Sequence, residues 1–207
     1  MNINPVFNNN DKQRTYKEYC GKYRKAVVEE FYFEALMITY SMFEDRARSF
    51  LYHIGAYANR NDEKICKKVR SSLMQIVKDN HSENENDKLN ITKISSKLKL
   101  IRCTLLWALN TDGGYESDIY LSALKSQYEG AFDIEDFLIT IAEIESWCQY
   151  RNEIIHALLN KNVESIKDDL ASKTENGMRL ARKIDGYVKA VKKNNKIRRA
   201  IKLPVNK

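Results

Sequence analysis

The chain has 207 residues and a formal net charge of +7, with 43% hydrophobic and 30% charged positions. That length suits one domain able to bury about 70% of its unfolded surface, and the two prolines, Pro5 and Pro204, leave nothing between them to break long helices. No apolar run nears the roughly 20 residues of a membrane span, and residues 1–5 lack the basic and apolar regions of a secretory leader, so a soluble cytoplasmic protein without a membrane partner is expected.

Elements follow in chain order. After an Asn-rich start, a helical pattern runs from about Arg14 to Ala58 with Val28, Phe31, Ala35, Ile38 and Met42 on one face. Where that face would continue, Asp45, Arg46, Ser49 and His53 replace apolar residues, either as an intrahelical ion-pair network or as the border of a cleft. Tyr16, Tyr19 and Tyr23 fall at helical spacing and read as packing groups. A second helix is expected from Asp62 to Lys78, a polar loop over 79–87 with an inert His81, and a third helix from Ile91 to Leu109. Thr111 to Gly114 forms a turn, and a shorter helix spans Ser117 to Tyr128. Asp133 and Asp136 resemble an N-cap and acidic first turn opening a helix that ends near Asn160, and the last helix covers Val163 to Lys192. These elements predict an all-α, up-and-down bundle of five or six helices over 1–192, followed by a basic tail, 193–207.

Charge and cysteines narrow the chemistry. Residues 179–207 hold eleven of the 35 Lys and Arg and one of the 28 acids, leaving 24 bases against 27 acids elsewhere. The basic character therefore belongs to the C-terminal segment, where Arg179, Arg182, Lys183, Lys192, Lys193, Arg198 and Arg199 are candidates to contact a phosphate backbone, or else form a solvated helix end. Cys20, Cys66, Cys103 and Cys148 are far apart and form no C-x-x-C pair, as expected of reduced core thiols. With no His-Glu-x-x-His spacing and no Gly-rich phosphate loop, neither a metal nor a cofactor is expected.

The most informative stretch lies on the helix after Asp133. Ile134, Phe137, Ile141, Ile144, Cys148, Ile155 and Leu159 recur at steps of three, four and seven, which marks one buried face. With Ile141 at zero and about 100° per residue, Arg151 falls at about 280°, Asn152 at about 20° and His156 at about 60°, on or beside that stripe. A desolvated, unpaired charge is costly, so these residues either pair in a core, with Glu145 or Glu153, or line a cleft. Spacing between arginine and histidine does not choose a site, because Arg46 and Arg48 also stand at suitable distances before His53. Asn152 directly after the arginine does.

Arg151-Asn152-x-x-x-His156 resembles the R-N-x-x-x-H signature of the HEPN superfamily, helical-bundle domains found in ribonuclease toxins, abortive-infection proteins and RNA-targeting type VI CRISPR effectors. Identity is confined to the motif; helix count, length and motif placement agree across most of the chain. The resemblance implies metal-independent RNA cleavage by Arg151, Asn152 and His156, with two motifs facing each other across a homodimer. It implies the role of toxin or antiphage abortive-infection effector, with an antitoxin protein or noncoding RNA as a further partner. In HEPN toxins controlled by a nucleotidyltransferase antitoxin, a tyrosine stands two residues after the histidine. Here that position is Leu158, so such control is not expected.

The residue types suit that chemistry. A 2′-hydroxyl attacks its neighbouring phosphate once a base takes its proton, and an imidazole with an ordinary pKa near 6.5 exchanges protons at neutral pH. A guanidinium offers a planar fork of donors to the phosphate. Arg46, Arg48 and His53 are candidates to border the same cleft and hold RNA. A noncatalytic module holding a structured or guide-like RNA, and a purely structural helical protein, are the competing readings.

Overall fold

The computed structural model describes residues 9–60, 62, 64–80, 91–157 and 167–205. These form α1 (Asn9–Val28), α2 (Tyr32–His53), α3 (Arg70–Asp79), α4 (Ile94–Asn110), α5 (Ile119–Ala131), α6 (Ile134–Ala157), α7 (Lys167–Lys192) and the short α8 (Lys196–Ala200). No strand occurs among the described residues, and no helix there is long and apolar enough to cross a membrane.

The long first helix expected over 14–58 is two helices. Phe31 N–H donates to Ala26 O at 2.7 Å and Glu30 N–H to Val27 O at 3.2 Å, with Glu30 at φ +57°, the paired bonds that end a helix in a left-handed residue. Glycine usually fills that position; here glutamate does, so no breaker marks the turn in the sequence. The second helix also starts later than expected, after a 3-10 turn over Lys67–Val69. Upstream, Arg48 donates to Arg60 O and Asp62 O at 2.8 Å each, and Cys66 N–H donates to Ala56 O at 2.8 Å. Those backbone groups hold the connecting segment to the end of α2 and are unavailable for a helix. Of the polar loop expected over 79–87, Asp79 closes α3 and Asn80 caps it through Ile76 O; the remainder, with His81, lies outside the described residues.

α2 runs through the middle of the bundle, packed most extensively on α7 and also on α1, α4 and α6. Phe50, Tyr128, Phe132, Phe137 and Tyr187 form an aromatic cluster in which Phe137 and Tyr187 stack at 3.9 Å. Phe132 is half-buried; each of the other four rings, being buried, contributes about 1.5–3 kcal/mol, so the cluster is a main anchor of α6 and α7 on α2. Further along, Trp147 donates from Nε1 to Lys173 O at 2.8 Å, and a Cβ added at Gly177 would lie 2.6 Å from that indole nitrogen. Only glycine admits this closeness between α6 and α7.

The segment expected as a basic tail, 193–207, belongs to the folded body through Val205. A 3-10 turn, Lys193–Asn195, leads into α8, and Ile197, Arg198 and Leu203 are buried. Arg198 is wholly buried, donating from Nε to Pro204 O at 2.9 Å, from Nη1 to Tyr52 O at 2.7 Å and Tyr57 O at 2.9 Å, and from Nη2 to Ala58 O at 2.6 Å. Its guanidinium lies 3.8 Å from the Tyr52 ring centre. A cation there answers carbonyls at the negative end of α2. The basic run thus supplies a clamp for the first half of the chain.

Candidate active site at the end of α6

The helix that carries the motif begins as the sequence suggests, with Asp133 Oδ1 accepting from Asp136 N–H at 3.0 Å. Its buried positions are Phe137, Thr140, Ile141, Ile144, Trp147, Cys148 and Ile154, which span about 220° to 360° on the wheel used above. The stripe therefore drifts towards Ile154. Ile155, expected in the core, is half-buried, and Leu159 lies outside the described residues. On that drifted face Arg151 comes near the centre, whereas Asn152 and His156 fall on its rim and are exposed.

Arg151 is half-buried against α2. Its guanidinium carbon lies 4.4 Å from the Tyr40 ring centre, Nη2 is 2.7 Å from Met37 Sδ, and Nη1 donates to Asn152 Oδ1 at 3.0 Å. The Nε–H is buried and has no hydrogen-bond partner among the described residues. A ring face, a thioether and an amide are weak partners for a cation. Neither Arg151 nor His156 is ion-paired with a carboxylate among the described residues, and Glu145 instead pairs with Arg102 at 3.0 Å. The sequence-level alternative of pairs with Glu145 or Glu153 is not what these residues do. Among the described residues the site therefore holds one cation without an answering anion, beside an amide and an imidazole open to solvent.

Asn152 also lines a groove of about 650 Å³ between α2, α4 and α6, together with Tyr40, Lys93, Lys99, Arg102 and Gln149. Burial raises the pKa of Glu145 although Arg102 opposes it, and pushes the Cys148 thiol up to about 12, which removes it as a nucleophile at neutral pH. Sequence reasoning missed the α4 cations. Lys93, Lys97, Lys99 and Arg102 are visible as a basic cluster, but they interleave with core residues and resemble an ordinary amphipathic helix. Lys97 is in fact buried, paired with Glu44 and donating to Thr92 O at 2.7 Å.

Several predicted RNA-binding residues do other work. Arg46 is ion-paired with Asp45 and, at 2.7 Å, with Asp185, and lies 4.4 Å from the Tyr16 ring centre. His53 is buried, its pKa lowered to about 3 by burial and then by Arg60, Lys192 and Arg198, so it stays neutral and cannot hold a phosphate. Arg198 is the internal clamp described above. Arg179 is bonded to Asn176 and Glu143, and Lys183 to Asp136 at 2.6 Å. Arg182, Lys193 and Arg199 are exposed and Lys192 is half-buried. The continuous C-terminal footprint read from the sequence is thus broken into a few surface cations. Arg48, with Asp45 and Ser49, lines a hollow between α1 and α2 that shares no residue with the groove beside Asn152, so this patch does not border the motif's cleft. No family model, curated protein or solved structure matches the chain.

Proposed function

We propose that the chain is a metal-independent endoribonuclease of HEPN type, with a composite active site at a homodimer interface, acting as a toxin or antiphage abortive-infection effector. The single observation that carries this reading is the state of Arg151, a half-buried guanidinium whose partners among the described residues are all uncharged. Holding a cation so is unfavourable until an anion arrives, and a phosphate accepts from the planar fork in the geometry that guanidinium offers. Exposed Asn152 and His156, four apart on one helix, stand next to it.

In the proposed reaction an imidazole takes the proton of the 2′-hydroxyl, and the 2′-oxygen bonds to the adjacent phosphorus. The bond from phosphorus to the 5′-oxygen breaks, and that oxygen takes a proton from a second imidazole, leaving cyclic phosphate and 5′-hydroxyl ends. Arg151 stabilises the charge growing on the phosphate, and Asn152 orients the imidazole or the RNA. Each chain supplies one His156, whereas the reaction uses a base and an acid; a two-fold axis supplies both without further residues. An antitoxin protein or a noncoding RNA is proposed as the controlling partner.

The test is incubation of wild type and His156→Ala with total RNA in chelator, followed by mapping of the new ends. Cyclic phosphate termini are expected with wild type alone, while the variant keeps its dimer and melting temperature. Intact RNA with folded wild-type protein overturns the enzyme reading. Salt-dependent RNA binding that survives His156→Ala, without cleavage, would favour a noncatalytic RNA-holding module.

A further inference from the structure

We propose that the hollow between α1 and α2 binds a nucleotide, recognised as a planar base joined to a phosphate. The hollow measures about 300 Å³ and is lined by Tyr16 and Tyr19 of α1, by Met42, Arg48 and Tyr52 of α2, and by Arg60 of the following segment, among others. That size lies at the lower end of small-ligand cavities, enough for one nucleotide and not for a run of them.

Tyr19, exposed at the rim, gives a base a ring to stack on, beside the partly buried Tyr16, whose ring already carries Arg46, and the buried Tyr52, which closes the wall beneath Arg198. Tyr16 is held in place, its hydroxyl donating to Asp45 Oδ2 at 2.8 Å. The Asp45 carboxylate is also ion-paired with Arg46, so its charge is answered and does not repel an incoming anion. Arg48 is fixed by the carbonyls of Arg60 and Asp62 and lies 5.4 Å from the Tyr57 ring centre. These partners are uncharged, so the guanidinium keeps its full positive charge at a preset position on the wall. An aromatic surface beside a fixed guanidinium selects a ligand carrying both a ring and an anion over one carrying either alone. The inference rests on this hollow and not on the ribonuclease reading.

The occupant is either a free mononucleotide or one unstacked nucleotide of an RNA strand. Calorimetric titration with AMP, GMP, CMP and UMP, the matching nucleosides, inorganic phosphate and short RNA oligonucleotides separates these. Tyr19→Ala removes a rim ring, and Ser41→Trp places an indole in the hollow that Ser41 lines; both positions are exposed, and melting curves verify that the variants fold. At least one monophosphate is expected to bind wild type tenfold or more tighter than its nucleoside or phosphate, and to lose tenfold or more in each variant. If only the oligonucleotides bind and lose affinity in the variants, the occupant is a nucleotide within a strand. The proposal is overturned if no nucleotide probe loses affinity in either variant, or if nucleosides bind as tightly as monophosphates.

Discussion

Arg198→Ala should unfold this protein far more readily than any neighbouring charge change. The wild-type side chain is wholly buried and supplies donors to four carbonyls, those of Tyr52, Tyr57, Ala58 and Pro204. Tyr52 O keeps the Gly55 N–H, but a buried carbonyl that loses its donor costs about 1 kcal/mol at the lower end of the usual range, so losing the bonds to Tyr57, Ala58 and Pro204, with the packing over Tyr52, costs about 4 kcal/mol. Typical domains are stable by about 5–15 kcal/mol, and in one of this size each kcal/mol moves the melting temperature by about 2–4 °C. A fall of about 10–15 °C is therefore expected in a thermal melt, with a matching drop in urea midpoint. Arg198→Lys should recover little, because an ammonium cannot reach four diverging acceptors in the plane of a guanidinium. Exposed Arg199 provides the control: Arg199→Ala should stay within about 0.5 kcal/mol of wild type. If Arg198→Ala melts within 3 °C of wild type, or no lower than Arg199→Ala, the clamp reasoning is wrong and a surface role for the basic run regains its place.

Two further outcomes follow from the charges. His53 is neutral in the fold, with a pKa of about 3, but takes a proton near 6.5 when unfolded. Its stabilising share is full above 6.5 and is lost as pH falls towards 3, amounting to about 2 kcal/mol by pH 5. Urea midpoints at pH 7.5 and 5.0 should draw closer in His53→Gln than in wild type, and an equal gap in both would contradict the burial argument. Along the groove, Lys93→Ala with Lys99→Ala should weaken RNA binding irrespective of sequence and reduce the salt slope of binding by about 1.4, at about 0.7 per phosphate contact on single strands. An unchanged slope, with a drop instead on neutralising Arg182 and Lys193, would move the RNA path to the C-terminal helices.

Periodicity made the bundle legible, and with it the helix from Ile134 that carries Arg151, because apolar spacing and the Asp133 cap are local signals. The break at Glu30 was not, since a left-handed residue is written there in a side chain that normally avoids it. Charged residues proved the least readable class. Arg198 and Lys97 look solvated in one dimension, yet each finds its partners on a distant stretch, the end of α2 for the first and Glu44 for the second, and Arg46 adds Asp185 of α7 to its neighbour Asp45. The same limit hid the setting of Arg151, whose contacts with Met37 and Tyr40 lie more than a hundred residues upstream.

The clamp at Arg198 also bears on how the molecule is made. Residues 32–53 find their main packing surface on 167–192, and the end of that early helix stays unplugged until Arg198 has left the ribosome. A nascent chain can form individual helices as they emerge, but closure must wait until α7 and α8 have been made. Translation arrested before that point would yield a fragment with an open core, a substrate for chaperones and proteases.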